Sequence, residues 1–242
     1  MVKEFIKAKG IKKTYDHVKA VDNLDITVNK GEIFGLIGPN GAGKSTAIEC
    51  ILGTKKKDSG SVDILNMDPI NNRKRVFEEI GVQFQDSYYP DRIKVKEMCQ
   101  LVASLYTKSI DWREMLSKFG LSDKSKQMIS ELSGGERQKL SVILALLHKP
   151  KIVFLDELTT GLDPSARRQM WNFLKSLNMQ GLTIFLTSHY MDEVHYLCDR
   201  ISIIDKGKII TTGTPDDVIK AVDEGSLEEA YLKLIAKKGE IQ

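Results

Sequence analysis

Apolar and polar positions alternate weakly from Val2 to Tyr15, which predicts a strand running into a turn. Ala20–Val28 and Glu32–Ile37 continue as strands, with Asn29-Lys30-Gly31 as the turn between them. Thr46–Leu52 has helical spacing, Ser61–Leu65 reads as a strand, and Arg75–Glu79 leads into another at Ile80–Phe84. From Asp86 to about Pro150 the texture changes. Val95–Tyr106 and Trp112–Phe119 have helical spacing, with polar joints at Thr107–Asp111 and Leu121–Ser130, as expected of an inserted helical lobe. Strand-like runs return at Ile152–Leu155, Thr183–Thr187 and Arg200–Ile204, separated by helices over Ser165–Leu177 and Met191–Leu197. Strands alternating with helices imply an α/β fold with a mostly parallel sheet covered on both faces. Asp205-Lys206-Gly207-Lys208 predicts a hairpin turn, and Thr214-Pro215-Asp216-Asp217 caps a helix with proline in its first turn.

Composition narrows this picture only a little. At 242 residues the chain can build one substantial core or two closely joined lobes. Its 41% apolar and 29% charged residues are ordinary for a soluble globular protein. A net charge of +3 and short clusters at Lys55-Lys56-Lys57 and Arg73-Lys74-Arg75, without interleaved aromatics, offer no nucleic-acid track. Cys50, Cys99 and Cys198 are odd in number and far apart, each in an apolar helical stretch, and are expected as buried free thiols in a reducing cytosol. Met1–Lys7 is too charged to start a signal peptide, and Met1-Val2-Lys3 carries no lipidation signal. The longest apolar run, Val142–Leu147, is far short of the ~20 residues that cross a bilayer, so no span is expected.

Chemistry enters at Gly38-Pro39-Asn40-Gly41-Ala42-Gly43-Lys44-Ser45, a complete phosphate-binding loop between a predicted strand and a predicted helix. Glycines let the backbone curl so that its N–H groups surround an anion at a helix N-terminus. Lys44 would reach the terminal phosphates and the Ser45 hydroxyl would ligate Mg2+. About 110 residues later, the apolar strand Ile152–Leu155 ends in Asp156 and Glu157. Phosphoryl transfer to water needs a divalent cation and a group that activates the water; Asp156 suits the first and Glu157 the second. Leu132-Ser133-Gly134-Gly135-Glu136-Arg137 opens the helical run Gln138–Leu147. A capping box accounts for Ser133 and Glu136 but not for the paired glycines, Gly134 and Gly135. A second helix N-terminus with bare N–H groups is a second anion site.

In this order and combination, Gly38–Ser45, Leu132–Glu136 and Leu155–Glu157 resemble the nucleotide-binding subunit of ABC transporters, over essentially the whole chain. The resemblance implies a P-loop NTPase core with an N-terminal antiparallel β region, formed by residues 1–85 and 151–242, and a helical lobe at 86–150 carrying the signature motif, as one domain. It implies that Gln85 ends the strand Ile80–Phe84 and contacts Mg2+, water and the membrane partner, with Gln83 a nearby competitor. It makes His189 the switch histidine at the γ-phosphate, Asp163 the aspartate of the loop that crosses a dimer, and Tyr15 the aromatic that stacks on adenine. Thr46 joins the nucleotide-binding set beside Ser45. In this family Ser133, Gly134 and Gly135 of one subunit close over ATP held by the partner's loop. Leu158 departs from the family's usual proline after the glutamate, which removes one source of stiffness from that turn.

The expected activity is Mg2+-dependent ATP hydrolysis, with ATP and Mg2+ bound, Glu157 as general base, and His189, Gln85 and Lys44 beside it. The expected partners are transmembrane permease subunits and a second ATPase subunit, as homodimer or heterodimer, and not nucleic acid. The chain is then cytoplasmic and peripheral on the cytoplasmic face of the membrane, and the short tail looks more like that of an exporter than of a sugar importer. Two other readings stay open: a soluble ABC-type ATPase acting on nucleic acid or the ribosome, and a regulatory nucleotide binder without turnover. The second would have been favoured by loss of Glu157 or His189, and both are present.

Overall fold

The computed structural model describes residues 3–84 and 88–239. Among these, the strands are β1 (Glu4–Tyr15), β2 (Val18–Asn29), β3 (Ile33–Ile37), β4 (Ser59–Ile64), β5 (Ile80–Gln83), β6 (Ile152–Asp156), β7 (Thr183–Ser188), β8 (Arg200–Asp205) and β9 (Lys208–Gly213). The helices are α1 (Lys44–Ile51), α2 (Arg73–Glu79), α3 (Val95–Ser104), α4 (Trp112–Lys118), α5 (Gly134–Leu146), α6 (Pro164–Met179), α7 (Met191–Leu197), α8 (Pro215–Val222) and α9 (Leu227–Gly239).

Every residue of β3, β6 and β7 is buried, the pattern of strands covered on both faces. They lie in a six-stranded sheet of order β5-β6-β7-β3-β8-β9, parallel except for β9. The register decides where function can sit. Ile37, the last residue of β3, pairs with Ser188, and Asp156 pairs with Thr187. The loops that leave β3, β6 and β7 therefore emerge together at the carboxyl edge, where open α/β sheets bind ligands.

A second, three-stranded antiparallel sheet has the order β2-β1-β4. It shares an apolar core with α1 and with one face of the large sheet, where the Phe185 ring centroid lies 5.4 Å from that of Phe34 and 5.3 Å from that of Phe154. The other face is covered by α5 and α6 through Leu140, Ile143, Met170 and Leu174. That cluster continues without a break into Val95, Cys99, Met115 and Leu116 of the helical segment. Burial of these side chains, at ~1.5–3 kcal/mol each, is what docks the segment on the sheet.

Several elements differ from expectation. β1 stays one strand of twelve residues because register shifts and Gly10, at φ 60°, bend it in place. The joint at Leu121–Ser130 is not simply polar: single turns at Ser122–Lys124 and Ile129–Glu131 bury Leu121 and Ile129. β5 stops at Gln83, leaving Phe84 exposed. Of two neighbouring tyrosines that the sequence presents as exposed aromatics, Tyr88 stands 92% exposed, whereas Tyr89 packs against the core. Cys198 lies just past α7; like Cys50 and Cys99 it is a buried free thiol. Among the described residues, no helix is long and apolar enough to cross a membrane.

Candidate functional site

The phosphate loop joins β3 to α1 and holds two glycines in the left-handed region, Gly41 at φ 79° and Gly43 at φ 104°. At Gly43 a side chain is doubly excluded, because a Cβ would fall 2.1 Å from the Ala20 carbonyl oxygen. The N-cap of α1 is Gly43 itself, with no side-chain cap, so the first-turn N–H groups have no side-chain acceptor. Lys44 is only 5% exposed; its Nζ donates to the carbonyl oxygens of Gly38 at 2.9 Å and Pro39 at 3.2 Å. The ammonium thus curls over the loop where an anion would sit. Tyr15, Asn40, Gly41, Ser45, Thr46 and Glu157 line the same cleft of about 370 Å³. The Tyr15 ring is 39% exposed, with the ammonium groups of Lys13 and Lys55 each 5.2 Å from its centroid. Glu49 holds Lys55 at 2.7 Å, and that hydrogen bond, with Tyr15 next, pushes the Lys55 pKa up.

Asp156 ends β6 as a buried carboxylate. Thr187 Oγ1 donates to its Oδ1 at 2.5 Å, and the Ser45 hydroxyl is a second partner. Burial raises its pKa and nearby Glu157 adds to this, while Thr187, Ser45 and Lys44 oppose the rise. A desolvated carboxylate beside a hydroxyl fits a divalent cation, whose charge would compensate the burial. Among the described residues no cluster of three or more His, Cys, Asp or Glu could hold a metal. Asp156 and Ser45 suit Mg2+, which takes one or two carboxylates and completes its shell with phosphate and water.

Glu157 follows in the left-handed region at φ 51°, a conformation that costs ~1–3 kcal/mol for a residue with a side chain. Its N–H donates both to the Thr187 carbonyl at 3.2 Å and to Thr187 Oγ1 at 3.0 Å. The turn points the carboxylate between a lysine and a histidine: Oε1 lies 3.6 Å from Lys44 Nζ and Oε2 3.7 Å from His189 Nδ1. His189 follows β7 and is 38% exposed. The lack of proline at position 158 is offset locally. Leu158 is buried in the core, Thr160 N–H donates to the Glu157 carbonyl at 3.2 Å, and Leu162 N–H to Thr159 at 3.2 Å.

The signature residues sit elsewhere. Ser133 caps α5, its Oγ accepting the Glu136 N–H at 3.2 Å while Glu136 Oε2 accepts the Ser133 N–H at 2.8 Å. The N-terminus expected to be bare therefore has one N–H capped by its own serine. A Cβ on Gly135 would lie 3.1 Å from Leu162, so that glycine serves close packing. A Cβ on Gly134 would meet nothing within 4 Å among the described residues, so none of them requires that glycine. Asp163 caps α6, accepting from Ser165 N–H at 2.9 Å and Ala166 N–H at 3.0 Å. Among the described residues the cleft lining includes neither Ser133, Gly134 and Gly135 nor Asp163. The structure thus brings together Tyr15, the Gly38–Thr46 loop, Asp156, Glu157 and His189, and leaves the second group apart. Gln85 lies outside the described residues. Gln83 is buried, and its side-chain N–H donates to the Phe84 carbonyl at 2.6 Å. Thr187, which binds both carboxylate-bearing residues, was missed in the sequence; its signal is a hydroxyl two residues before the expected switch histidine, legible only with the β6–β7 register.

Comparison with known proteins gives a consistent picture. The family model described as ABC transporter matches residues 21–160. The chain is 35% identical over 240 residues to the probable multidrug ABC transporter ATP-binding protein YbhF of Escherichia coli (strain K12), covering 95% of this chain and 41% of that one. It thus spans about two fifths of that relative's length. It is 36% identical over 218 residues to the linearmycin resistance ATP-binding protein LnrL of Bacillus subtilis (strain 168), covering 88% and 70%. A solved ATP-binding subunit of an ABC transporter superposes with TM-score 0.88 at 25% identity, over 96% of this chain and 99% of that one. A dimeric bacterial ABC transporter cassette superposes with TM-score 0.78 at 25% identity, over 86% and 98%.

Proposed function

Because the chain belongs to the ABC transporter family and its relatives there are ATP-binding proteins, we propose that it hydrolyses Mg-ATP to drive export through separate transmembrane subunits. The observation that carries this is the placement of Glu157 between Lys44 and His189, beside Asp156 and at the mouth of the phosphate loop. Tyr15 stacks on the base, and the N–H groups of Gly41–Thr46 surround the phosphates. Lys44 leaves the carbonyl oxygens of Gly38 and Pro39 and turns to the terminal phosphates, which frees Glu157 from its cation. Glu157 then accepts a proton from a water in line with the γ-phosphorus, and His189 steadies the γ-phosphate from the far side. Ser45 and Asp156, with Gln85, would hold Mg2+, which neutralises charge that develops on the β- and γ-phosphate oxygens.

Ser133, Gly134 and Gly135 serve a partner's site rather than this chain's own. The open space at Gly134 supports that, since a glycine that no described neighbour in the chain demands is accounted for by something arriving from outside. Asp163 is also exposed, and the working unit is a head-to-tail pair, either of this chain or with a second cassette. Residues 1–85 and 151–242 act as the nucleotide-holding core and 86–150 as the lobe that carries the signature and faces the membrane subunits. The pair docks on the cytoplasmic face, and relatives named for multidrug and linearmycin resistance favour export over import.

The test is Glu157→Gln, which keeps shape and removes the basic oxygen. ATP affinity is expected within about threefold of wild type, and turnover is expected to fall by ~100-fold or more. Turnover near the wild-type rate would remove Glu157 from this role.

A further inference from the structure

Glu193 has no part in the chemistry above, yet it is only 2% exposed and lies next to it. It occupies the third position of α7, and its carboxylate accepts hydrogen bonds from Trp171 and Ser188, with the Thr159 hydroxyl a further partner. Trp171 Nε1 on α6 donates to Oε1 at 2.8 Å, and Ser188 Oγ at the end of β7 donates to Oε2 at 2.5 Å. The Ser188 Oγ in turn accepts the Tyr190 N–H at 3.0 Å. His189 is the residue enclosed between those two anchors. On the strand side, Ser188 is paired with Ile37, where β3 enters the phosphate loop. On the helix side, the Tyr190 ring lies 4.1 Å from the Arg167 guanidinium and 4.2 Å from the His189 ring. The backbone flanking the imidazole is therefore held through one buried carboxylate, while the imidazole reaches out to within 3.7 Å of Glu157. Burying an acid is costly, and an apolar residue would often serve stability as well. An acid in this place is accounted for by what it orients.

We propose that Glu193 is a positioning residue for His189, fixing through Ser188 the backbone on both sides of the imidazole and so its distance from Glu157 and the γ-phosphate. This rests on the reading of Glu157 and His189 as parts of an ATP-hydrolysing site. A misplacement of about 1 Å can cost about 100-fold in rate, so a loosened loop has a measurable effect without loss of binding.

Ser188→Ala and Trp171→Phe each remove one donor to the same carboxylate, and only the first adjoins His189. A purely structural acid would make the two variants alike. The proposal expects Ser188→Ala, and Glu193→Gln where it folds, to lower kcat by ~10- to 100-fold with KM for ATP within about twofold. Trp171→Phe is expected to lower the thermal midpoint but to leave kcat of the folded protein within about twofold. In a His189→Ala background, Ser188→Ala should cost nothing further, because both act through one group. The nucleotide-free protein gives an independent readout. Of the four histidines, the imidazole NMR signal lost in His189→Ala should shift and broaden in Ser188→Ala and stay in place in Trp171→Phe. Equal kcat losses in the two variants, additive losses in the His189→Ala background, or an unmoved His189 signal in Ser188→Ala would each overturn the proposal. Absence of turnover in the wild type would instead overturn the ATPase reading, and the imidazole signals would still decide whether Ser188 and Glu193 hold the loop.

Discussion

Replacing Thr187 by Val removes one oxygen that serves two residues. Thr187 Oγ1 donates to Asp156 and accepts the Glu157 N–H, while the Thr187 carbonyl also accepts that N–H at 3.2 Å. Glu157 therefore keeps a backbone partner, and the loss falls mainly on Asp156. A hydrogen bond to a charged group contributes ~1.5–3 kcal/mol, and here the acceptor stays buried with Ser45 as its remaining hydroxyl partner. For a chain of this size each kcal/mol moves the thermal midpoint by ~2–4 °C, so the midpoint should fall by ~3–12 °C. Turnover should fall further than stability implies, by ~10-fold or more, because the carboxylate offered to the cation is no longer fixed in orientation. Thr187→Ser separates the two effects: it retains the hydroxyl and loses one buried methyl, at a cost of about 1 kcal/mol, with turnover retained. Scanning calorimetry and steady-state phosphate release on both variants measure this. A Val variant with an unchanged midpoint and rate, or a Ser variant as slow as Val, would refute the reasoning.

Two further perturbations read other parts of the account. Gly134→Ala meets no atom of the described residues within 4 Å and should stabilise α5 by up to ~1 kcal/mol, yet weaken ATP-dependent pairing and turnover; unchanged pairing by light scattering would detach Gly134 from a partner's nucleotide. His148 is buried, stacks on Tyr106 at 3.9 Å, and has its pKa lowered by burial against the opposing pull of the Ile80 carbonyl. The unfolded chain therefore takes up its proton first, and stability is lost as pH falls through and below about 6.5. Thermal midpoints of His148→Phe between pH 7.5 and 5.5 should fall less than those of wild type, and parallel curves would contradict the sign.

The parts of the fold and site that lie within one stretch of chain were legible in the sequence. The phosphate loop spans Gly38–Ser45 and needs only its flanks; Asp156 and Glu157 declare themselves as carboxylates at the end of an apolar strand. Ser133 and Glu136 form the capping box that their spacing implied. Tyr15 and His189 carried no such local signal, and the family resemblance placed them before the structure brought both to the cleft. What stayed hidden depends on register between distant segments. Thr187 acts on Asp156 only because β7 pairs with β6, and Glu193 matters only because α7 folds back on Ser188 and meets Trp171 from α6. α9 was not foreseen: among its described side chains only Leu227 and Ala230 are fully buried, too sparse a stripe to stand out. The left-handed backbone of Glu157 was unreadable because it comes with tertiary hydrogen bonds that the Glu157 N–H donates to Thr187.

The claim that this chain powers a membrane exporter is tested most directly by what it binds while loaded with ATP. Tagged Glu157→Gln protein, held in Mg-ATP, is recovered from detergent-solubilised membranes and its partners are identified by mass spectrometry. The account predicts a polytopic membrane protein in stoichiometric amount. Ribosomes or nucleic acid, with no polytopic membrane protein, would contradict it.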